Sequence, residues 1–275
     1  MKTVAIIQAR LGSQRLPGKV LRDLCGEPVL RHVIRRTGLA AVDEVVVATC
    51  EEELDDARGI EMCAEASGVS CLYGHATDVL DRYYQAAKEF QADTIVRVTA
   101  DCPLVDPGLI TQALALYADS DADYCAIATT PLRYRPMDYF DSRAVCRARA
   151  PMTAHDSRRP LWPDGVDCEI FSVLALKKAW TEAYRRSHRE HVSVYLWANP
   201  RIFDVRYLYA DTDLSKYRFT VDTEEDFAVV TAIVAALGPD ARTVDIVAWL
   251  DAHPAIYALN RPQAAAAALA YADLR

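Results

Sequence analysis

The segment "IIQARLGSQRLPGKVL", residues 6–21, joins an apolar run to a polar turn. Residues Val4–Ile7 have the β-branched character of a buried strand. The turn after them contains two glycines, a proline and the polar residues Arg10, Ser13, Arg15 and Lys19. A glycine-bearing turn can aim several backbone N–H groups at one anion, and nearby cations can neutralise it. Because ligands of open α/β sheets bind at the carboxyl ends of strands, this turn is a predicted anion site.

Two common nucleotide-binding motifs do not fit this turn. A P-loop needs four residues between its glycines and a Ser or Thr after its lysine, whereas five residues separate Gly12 from Gly18 and Val20 follows Lys19. The dinucleotide fingerprint G-x-G-x-x-G also fails, because no third glycine stands at the required spacing. A surface turn with solvated charges therefore remains open as an alternative to an anion site.

Strand-like and helix-like segments alternate along the chain. The pattern predicts strands at 3–7, 44–49, 94–99, 123–128 and 166–173, extended segments near 202–209 and 217–221, and helices at 28–38, 51–67, 77–90, 107–119, 174–185, 188–198, 223–237 and 243–252. This βαβα order predicts an α/β fold with a mainly parallel sheet covered by helices. We expect a single domain, 1–275, with an inserted loop or lid at 131–163 and a C-terminal helical extension at 239–275.

Composition and charge exclude several functional classes. A net charge of −8 argues against nucleic acid as a partner, since binding the phosphate backbone needs a basic surface. The sequence contains no apolar run long enough for a membrane span and no secretory signal pattern, so we expect a cytoplasmic protein without membrane contact. Its eight cysteines include no C-x-x-C pair and are predicted to be buried free thiols.

The segment 131–163 differs from the rest of the chain in charge. It contains seven arginines, no lysine and three acidic residues. Arginine forks suit carboxylates and phosphates, so this segment predicts an anionic small-molecule partner, either a sugar acid or a phosphorylated or phosphonylated compound. A solvated loop, or one that faces a second subunit, is an equal alternative.

Several motifs together resemble those of a known enzyme family. The turn is similar to the A-R-x-x-S-x-R-L-P-G-K signature of the CMP-sugar synthetase, or cytidylyltransferase, superfamily, and the whole chain is closest to the spore coat polysaccharide type. The resemblance continues in order through "DVLDRYYQAA" (78–87), "VRVTADCPLVDP" (96–107), "DGVDCEIFS" (164–172) and "FTVDTEEDF" (219–227). It implies a three-layer α/β/α fold of the nucleotide-diphospho-sugar transferase type, a homodimer, and transfer of CMP from CTP to an acceptor with release of pyrophosphate.

The resemblance also implies roles for individual residues. It places Arg10, Arg15 and Lys19 on the triphosphate as catalytic cations. The wider set of nucleotide contacts that it implies is Gln8, Ala9, Arg10, Ser13, Arg15, Lys19, Thr49, Gly74, Asp81 and Arg82. The acceptor side matches the segment around 162–171, and the residues assigned to it are Asp164, Asp167, Glu169 and His191.

Two aspartates are candidate ligands for Mg²⁺. Asp101 follows the predicted strand 94–99 and Asp222 follows the extended segment 217–221, so both can converge at one edge of the sheet. Carboxylates are the protein ligands that Mg²⁺ prefers beside phosphate oxygens. From the pattern alone, Asp222 or Thr223 can equally be a helix cap and Asp101 can cap a turn. The resemblance favours the metal role.

Ordinary structural roles are expected for several other charged or polar residues. Thr77 or Asp78 is expected to cap the helix at 77–90, and Ser187 with Glu190 is expected to form a capping box rather than a zinc site. Arg97 lies in an apolar strand and needs a partner, for which Asp101, Glu169 or a ligand anion are candidates.

Three other functions compete with cytidylyl transfer. A sugar-1-phosphate nucleotidyltransferase would use another NTP, but enzymes of that kind carry a longer glycine-rich loop. A metal-dependent glycosyltransferase would use a D-x-D motif, which "DTD" (211–213) supplies formally. A nucleotide-binding protein without catalysis would keep the loop and lose the metal.

Overall fold

The structure is a computed structural model that describes residues 1–50, 54–129 and 159–263 of the 275-residue chain. Most of the predicted lid at 131–163, and the end of the predicted extension at 239–275, lie outside the described residues.

The described residues form strands and helices in alternation. The strands are β1 (Thr3–Gln8), β2 (Asp23–Leu24), β3 (Glu27–Pro28), β4 (Glu44–Cys50), β5 (Ser70–Gly74), β6 (Thr94–Thr99), β7 (Tyr124–Ile127), β8 (Glu169–Ser172) and β9 (Val205–Leu208). The helices are α1 (Val29–Gly38), α2 (Leu54–Ala66), α3 (Val79–Glu89), α4 (Pro107–Ala118), α5 (Val173–Glu182), α6 (Arg186–Glu190), α7 (Val194–Trp197), α8 (Glu224–Leu237), α9 (Thr243–Ala252) and α10 (Pro254–Tyr257). A 3₁₀ turn spans Lys19–Leu21.

Seven of these strands form one sheet in the described part of the chain, in the order β5-β4-β1-β6-β8-β7-β9. The pairs β1–β4, β1–β6, β4–β5 and β7–β9 are parallel, whereas β8 runs antiparallel to both of its neighbours. The predicted mainly parallel sheet is confirmed. The strand β8 is the exception, and it follows the long segment 130–158.

The core lies on both faces of the sheet. In β1, Ala5 and Ile7 belong to one buried cluster and Val4 and Ile6 to another, because successive side chains of a strand point to opposite faces. Residues of α1, α4, α8 and α9 pack on the first face, and residues of α3, α5 and α7 pack on the second. The fold is therefore the expected α/β/α sandwich, with buried apolar surface on either side of the sheet.

Helix ends and cysteines agree with most of the local expectations. Asp78 caps α3 by accepting a hydrogen bond from the Asp81 amide, and Thr223 rather than Asp222 caps α8 in a capping box with Asp226. Apart from the exposed Cys25, the described cysteines are buried or half-buried, and all are free thiols. No helix in the described ranges has the length and apolar character that crossing a bilayer requires.

Two sequence expectations about local structure are wrong. The helix expected at 188–198 is two short helices, because Val192 has a φ of 54° and Ser193 Oγ turns to donate to the Glu169 carboxylate. The capping box expected of Ser187 does not form: α6 begins at Arg186, so Arg185 stands at the N-cap and no side chain caps the helix.

The segment 217–221 is extended but does not join the sheet. It forms an isolated bridge at Asp164 and Arg218, and the Val221 amide donates to the Asp101 carbonyl at 2.8 Å. These two backbone contacts hold the segment across the carboxyl end of β6. They consequently bring Asp222 to Asp101.

Gly165 allows this close approach of two backbones. Its φ is +101°, and a Cβ at this position would lie 2.4 Å from the Thr220 amide nitrogen and 2.6 Å from the Phe219 carbonyl carbon. We predict that Gly165→Ala lowers the free energy of unfolding by about 3 kcal/mol or more, since backbone atoms must shift as well as the dihedral angle. Equilibrium unfolding in urea measures the loss.

Gly68→Ala is the matched control for backbone conformation. Gly68 also has a positive φ, +73°, but nothing lies within 4 Å of its virtual Cβ. Its substitution should cost only about 1 to 2 kcal/mol, the usual cost of a left-handed residue. Equal losses in the two variants would contradict the close contact at Gly165.

Candidate functional site

The turn after β1 and the residues after β6 meet because these strands are neighbours. Gln8 at the end of β1 pairs with Thr99 at the end of β6, and Asp101 lies two residues beyond Thr99. The Ala100 amide donates to the Gln8 carbonyl at 3.1 Å, which continues the ladder past the strand end. The sheet register therefore fixes where the turn and Asp101 meet.

Lys19 lies between the two predicted metal ligands. Its Nζ is 2.7 Å from Asp101 Oδ2 and 2.6 Å from Asp222 Oδ1. Local structure aims the side chain, because Gly18 adopts a left-handed conformation and Lys19 starts the 3₁₀ turn. The next residue, Val20, is buried in the core and anchors that turn. The sequence analysis placed Lys19 on the triphosphate and did not foresee this ion-pair triad.

The triad shifts the pKa values of Lys19 and Asp101. Burial alone would lower the pKa of Lys19, but the charges of Asp101 and Asp222 outweigh burial and raise it. Burial would raise the pKa of Asp101, and the Lys19 ammonium instead lowers it to about 2. Lys19 and Asp101 are thus held in their charged forms near neutral pH.

The other polar residues of the turn are more accessible. Arg15 Nη2 lies 3.1 Å from Asp222 Oδ2, but the Arg15 side chain is 64% exposed. An exposed ion pair of this kind is worth at most about 1 kcal/mol, so a ligand can displace it at low cost. Arg10 is exposed and forms no ion pair with any described residue, while Ser13 Oγ accepts from the Leu16 amide at 3.4 Å. Arg15 therefore lies on the open side of the Lys19 triad, and Arg10 is an exposed residue of the same turn.

Three other predicted nucleotide contacts, Ala9, Thr49 and Gly74, lie at the ends of β1, β4 and β5. Ala9 and Thr49 are buried, and the Ala9 amide donates to the Ala48 carbonyl at 3.1 Å. Gly74 leaves room for Arg82, whose Cγ would lie 2.9 Å from a Cβ on Gly74. This arrangement keeps the loop after β5 close to α3.

Arg82 and Asp81 already have partners within the protein. The Arg82 guanidinium is buried and donates to the His75 and Ala76 carbonyls at 2.8 and 3.0 Å. Asp81 accepts from the Trp180 indole at 2.7 Å and from the Gln85 amide at 3.0 Å. Arg82 thus holds the loop after β5, and Asp81 ties α3 to α5. Their contact with a nucleotide stays a prediction.

The four predicted acceptor residues fall into two groups. Asp164 pairs with Arg218 and accepts from Thr220 Oγ1 at 3.0 Å, and Asp167 accepts from the Gly165 amide at 2.8 Å. Glu169 is buried in a separate network with Arg97, Tyr124, Ser193 and, through Arg97, Gln8. His191 ends α6 next to that network. The structure brings Asp164 to Asp222, and it brings Glu169 to the end of β1.

Glu169 also settles the partner of Arg97. The Arg97 guanidinium contacts the Glu169 carboxylate directly, and its other end donates to Gln8 Oε1 at 3.1 Å. Glu169 accepts further hydrogen bonds from Tyr124 and Ser193 at 2.7 and 2.8 Å. These contacts satisfy a buried carboxylate from several sides.

Arg218 was missed by the sequence analysis. It is 4% exposed, and its guanidinium contacts Asp164, Asp222 and Asp226. A signal was present, because Arg218 stands in the apolar run "YRFTV" much as Arg97 stands in "TIVRVT". A cation in such a run needs buried partners.

Asp101 and Asp222 are chemically suited to a divalent cation when a triphosphate completes the shell. Their oxygens converge on one ammonium, so the two carboxylates already share one positive charge. The described ranges contain no cluster of three or more acidic, His or Cys side chains arranged for a metal. Mg²⁺ usually takes only one or two carboxylates together with phosphate oxygens and water. The pair fits that requirement.

Comparisons with known proteins show which family this chain resembles. The family model described as cytidylyltransferase matches residues 4–229. The spore coat polysaccharide biosynthesis protein SpsF of Bacillus subtilis is 28% identical over 90% of this chain and 94% of its own length. The 3-deoxy-manno-octulosonate cytidylyltransferase of Geobacter sulfurreducens is 34% identical over 68% of this chain and 77% of its own length.

A solved structure extends the likeness to three dimensions. A cytidylyltransferase from Leptospira borgpetersenii superposes with a TM-score of 0.78 at 30% identity and covers 94% of this chain and 97% of that one. The sequence match includes the turn after β1, Asp101 and Asp222, and the structural match includes the sheet that brings them together. The chain belongs to the cytidylyltransferase family.

Proposed function

We propose that the chain transfers CMP from CTP to a sugar acid or another anionic small molecule, with release of pyrophosphate. The convergence of Lys19, Asp101 and Asp222 at the carboxyl ends of β1 and β6 supports this most directly. The turn adds Arg10 and Arg15 on its open side. The turn thus supplies three cations, and Lys19 and Arg15 contact the carboxylates, which matches what a triphosphate and a divalent cation need together.

Asp101 and Asp222 would hold Mg²⁺, which would neutralise charge on the phosphates during transfer. Lys19 would then release the carboxylates and bind the triphosphate, since its ammonium now sits where the two carboxylates converge. Arg10 and Arg15 would bind the same phosphates from the exposed side of the turn. Positioning and charge stabilisation would provide most of the catalysis.

The transfer itself would be an in-line displacement. An acceptor oxygen forms a bond to the α-phosphorus, the bond from that phosphorus to the oxygen bridging it to the β-phosphate breaks, and the acceptor hydroxyl's proton passes to solvent water. Asp164, which shares Arg218 with Asp222, and Asp167, which accepts from the Gly165 amide, would orient the acceptor's hydroxyls. The departing pyrophosphate would stay with the cations of the turn until it is released.

The acceptor is proposed from charge and from a relative. The segment 131–163 carries seven arginines against three acidic residues, although most of it lies outside the described residues. The name of the Geobacter sulfurreducens relative specifies 3-deoxy-manno-octulosonate, a sugar acid. An anionic acceptor agrees with both observations. The homodimer and the cytoplasmic location expected from the sequence stay predictions.

The nucleotide and the metal can be tested with purified protein. We expect pyrophosphate release with CTP and 3-deoxy-manno-octulosonate, little release with ATP, GTP or UTP, and loss of activity in EDTA that Mg²⁺ restores. Asp101→Asn and Asp222→Asn should each lower kcat by about 100-fold or more, because each removes a charged ligand. Asp240→Asn, at an exposed ion pair with Arg35, is the control and should match the wild type. Full activity in EDTA, or a preference for another NTP, would contradict the proposal.

Lys19→Met should have opposite effects on metal binding and on turnover. Without the ammonium, Asp101 and Asp222 lose the cation between them, so free Mn²⁺ should bind to the nucleotide-free protein about tenfold more tightly. Turnover should fall by about 100-fold because a phosphate contact is lost. Mn²⁺ binding by electron paramagnetic resonance gives the first value.

Lys178→Met serves as the control for Lys19→Met, since Lys178 forms an exposed ion pair with Glu182 on α5. It should change neither Mn²⁺ binding nor turnover. Weaker Mn²⁺ binding in Lys19→Met than in the wild type would show that Lys19 does not compete with the cation.

The arginine-rich segment can be tested through the acceptor. Replacing Arg133, Arg135 and Arg143 together with alanine should raise the KM for 3-deoxy-manno-octulosonate about tenfold or more while changing the KM for CTP less than about twofold. Replacing the exposed Arg31, Arg58 and Arg261 is the charge-matched control. An unchanged acceptor KM in the first variant would remove this part of the proposal.

A further inference from the structure

Arg218 connects three aspartates through three different nitrogens. Its Nε lies 3.1 Å from Asp226 Oδ1, its Nη2 lies 2.5 Å from Asp222 Oδ2, and its Nη1 contacts Asp164 Oδ2. The side chain of Arg218 is only 3% exposed. A planar guanidinium can hold three carboxylates in fixed directions, whereas the single nitrogen of a lysine cannot.

One side of this cluster is anchored in the fold. Asp226 is fully buried, belongs to the capping box of α8 and accepts from Asn260 Nδ2 at 3.0 Å. The same Asn260 nitrogen donates to the Arg218 carbonyl at 3.1 Å. Helix α8 and the segment around Asn260 therefore fix the guanidinium, and only its other two nitrogens point toward the site.

The contact with Asp222 fixes the rotation of that carboxylate. Arg218 Nη2 and Arg15 Nη2 both contact Asp222 Oδ2, at 2.5 and 3.1 Å. The other oxygen, Oδ1, lies 2.6 Å from Lys19 Nζ. Because Arg218 holds Oδ2, the second oxygen of Asp222, Oδ1, is directed toward Lys19. Since Arg218 is buried and Arg15 is exposed, Arg218 is the permanent member of this pair.

Charge balance gives Arg218 a second role. Burial would lower the pKa of Arg218, but Asp164, Asp226 and Asp222 raise it above its ordinary value, so the group stays protonated. Without this cation, Asp164 and Asp226 would lose a buried positive partner, and Asp222 would keep only Lys19 and the exposed Arg15.

We propose that Arg218 is a positioning residue for nucleotidyl transfer, which orients Asp222 toward the divalent cation and holds Asp164, on the acceptor side, at a fixed separation from it. This inference rests on the proposed function, because it takes Asp222 as a metal ligand. It adds a residue that need not touch nucleotide, metal or acceptor. Its contribution comes through the two carboxylates whose geometry it sets.

Arg218→Lys tests the proposal with Mn²⁺ and CTP as probes. The variant keeps the positive charge but loses the planar guanidinium with its several N–H donors, so Mn²⁺ should bind to the CTP complex about tenfold more weakly. The affinity for CTP without metal should change less than about threefold. Electron paramagnetic resonance gives the first value and equilibrium dialysis the second. Unchanged Mn²⁺ affinity in a folded Arg218→Lys protein would overturn the proposal.

Arg36→Lys is the matched control for the loss of a buried arginine. Arg36 is 1% exposed, and its described hydrogen bonds go to backbone carbonyls of Leu104, Val105, Pro239 and Ala241. Its substitution should lower the Tm, as that of Arg218 does, but leave Mn²⁺ affinity at the wild-type value. A fall in Mn²⁺ affinity of similar size in both variants would assign the effect to general destabilisation and overturn the positioning role.

Asp226→Asn offers a milder second variant should Arg218→Lys fail to fold. It removes the anchoring charge behind the guanidinium and leaves Asp222, Asp164 and Lys19 in place. We expect a fall in Mn²⁺ affinity of about threefold or more, in the same direction as for Arg218→Lys. No change in a folded Asp226→Asn protein would count against an anchored guanidinium.

Asp222→Asn separates this inference from the proposed function. If Asp222→Asn retains wild-type Mn²⁺ affinity in the CTP complex, Asp222 is not a ligand and the proposed function fails. If Asp222→Asn loses Mn²⁺ but Arg218→Lys does not, only the positioning role fails. If both lose it, the double variant should be little worse than Asp222→Asn alone, since both act through one carboxylate. Fully additive losses would contradict action through Asp222.

Discussion

The ion-pair triad of Lys19 with Asp101 and Asp222 is the constraint on which the site depends. Two carboxylates that converge at 2.6 and 2.7 Å on one ammonium repel each other, and the cation between them offsets that repulsion. The same requirement explains Arg218, which balances the other oxygen of Asp222 from the buried side. The two carboxylates thus already bind one cation, the Lys19 ammonium, at the position where Mg²⁺ is proposed to bind.

The fold meets this constraint through backbone geometry. The register of β1 and β6 places Asp101 beside the turn, and the Val221 amide on the Asp101 carbonyl brings in Asp222. Gly165 then allows the chain to pass close to Thr220, which places Asp164 next to Arg218. Residues more than 100 positions apart in sequence become neighbours, as the separation of 203 between Lys19 and Asp222 illustrates.

Local pattern and resemblance predicted the sheet and much of the site. The ends of strands can be predicted because β-branched runs stop at polar turns. The sequence therefore predicted that Arg10 and Lys19 follow β1 and that Asp101 follows β6. The pairing of Lys19 with the aspartates did not follow, because nothing local indicates which distant charge a side chain meets. The break at Val192 was missed for the same reason, because the contact of Ser193 with Glu169 overrode local propensity. The segment 217–221 is extended as predicted, but its backbone contact with Asp101 is not indicated by local pattern.

The most direct measurement is a crystal structure of the chain with CTP and Mn²⁺, with the cation located by its anomalous scattering. The account predicts Mn²⁺ between Asp101 and Asp222, with Asp222 Oδ2 still on Arg218 and Lys19 Nζ moved onto a phosphate oxygen of CTP. A nucleotide bound away from the turn after β1, or Lys19 still bridging the two aspartates with both ligands present, would contradict it.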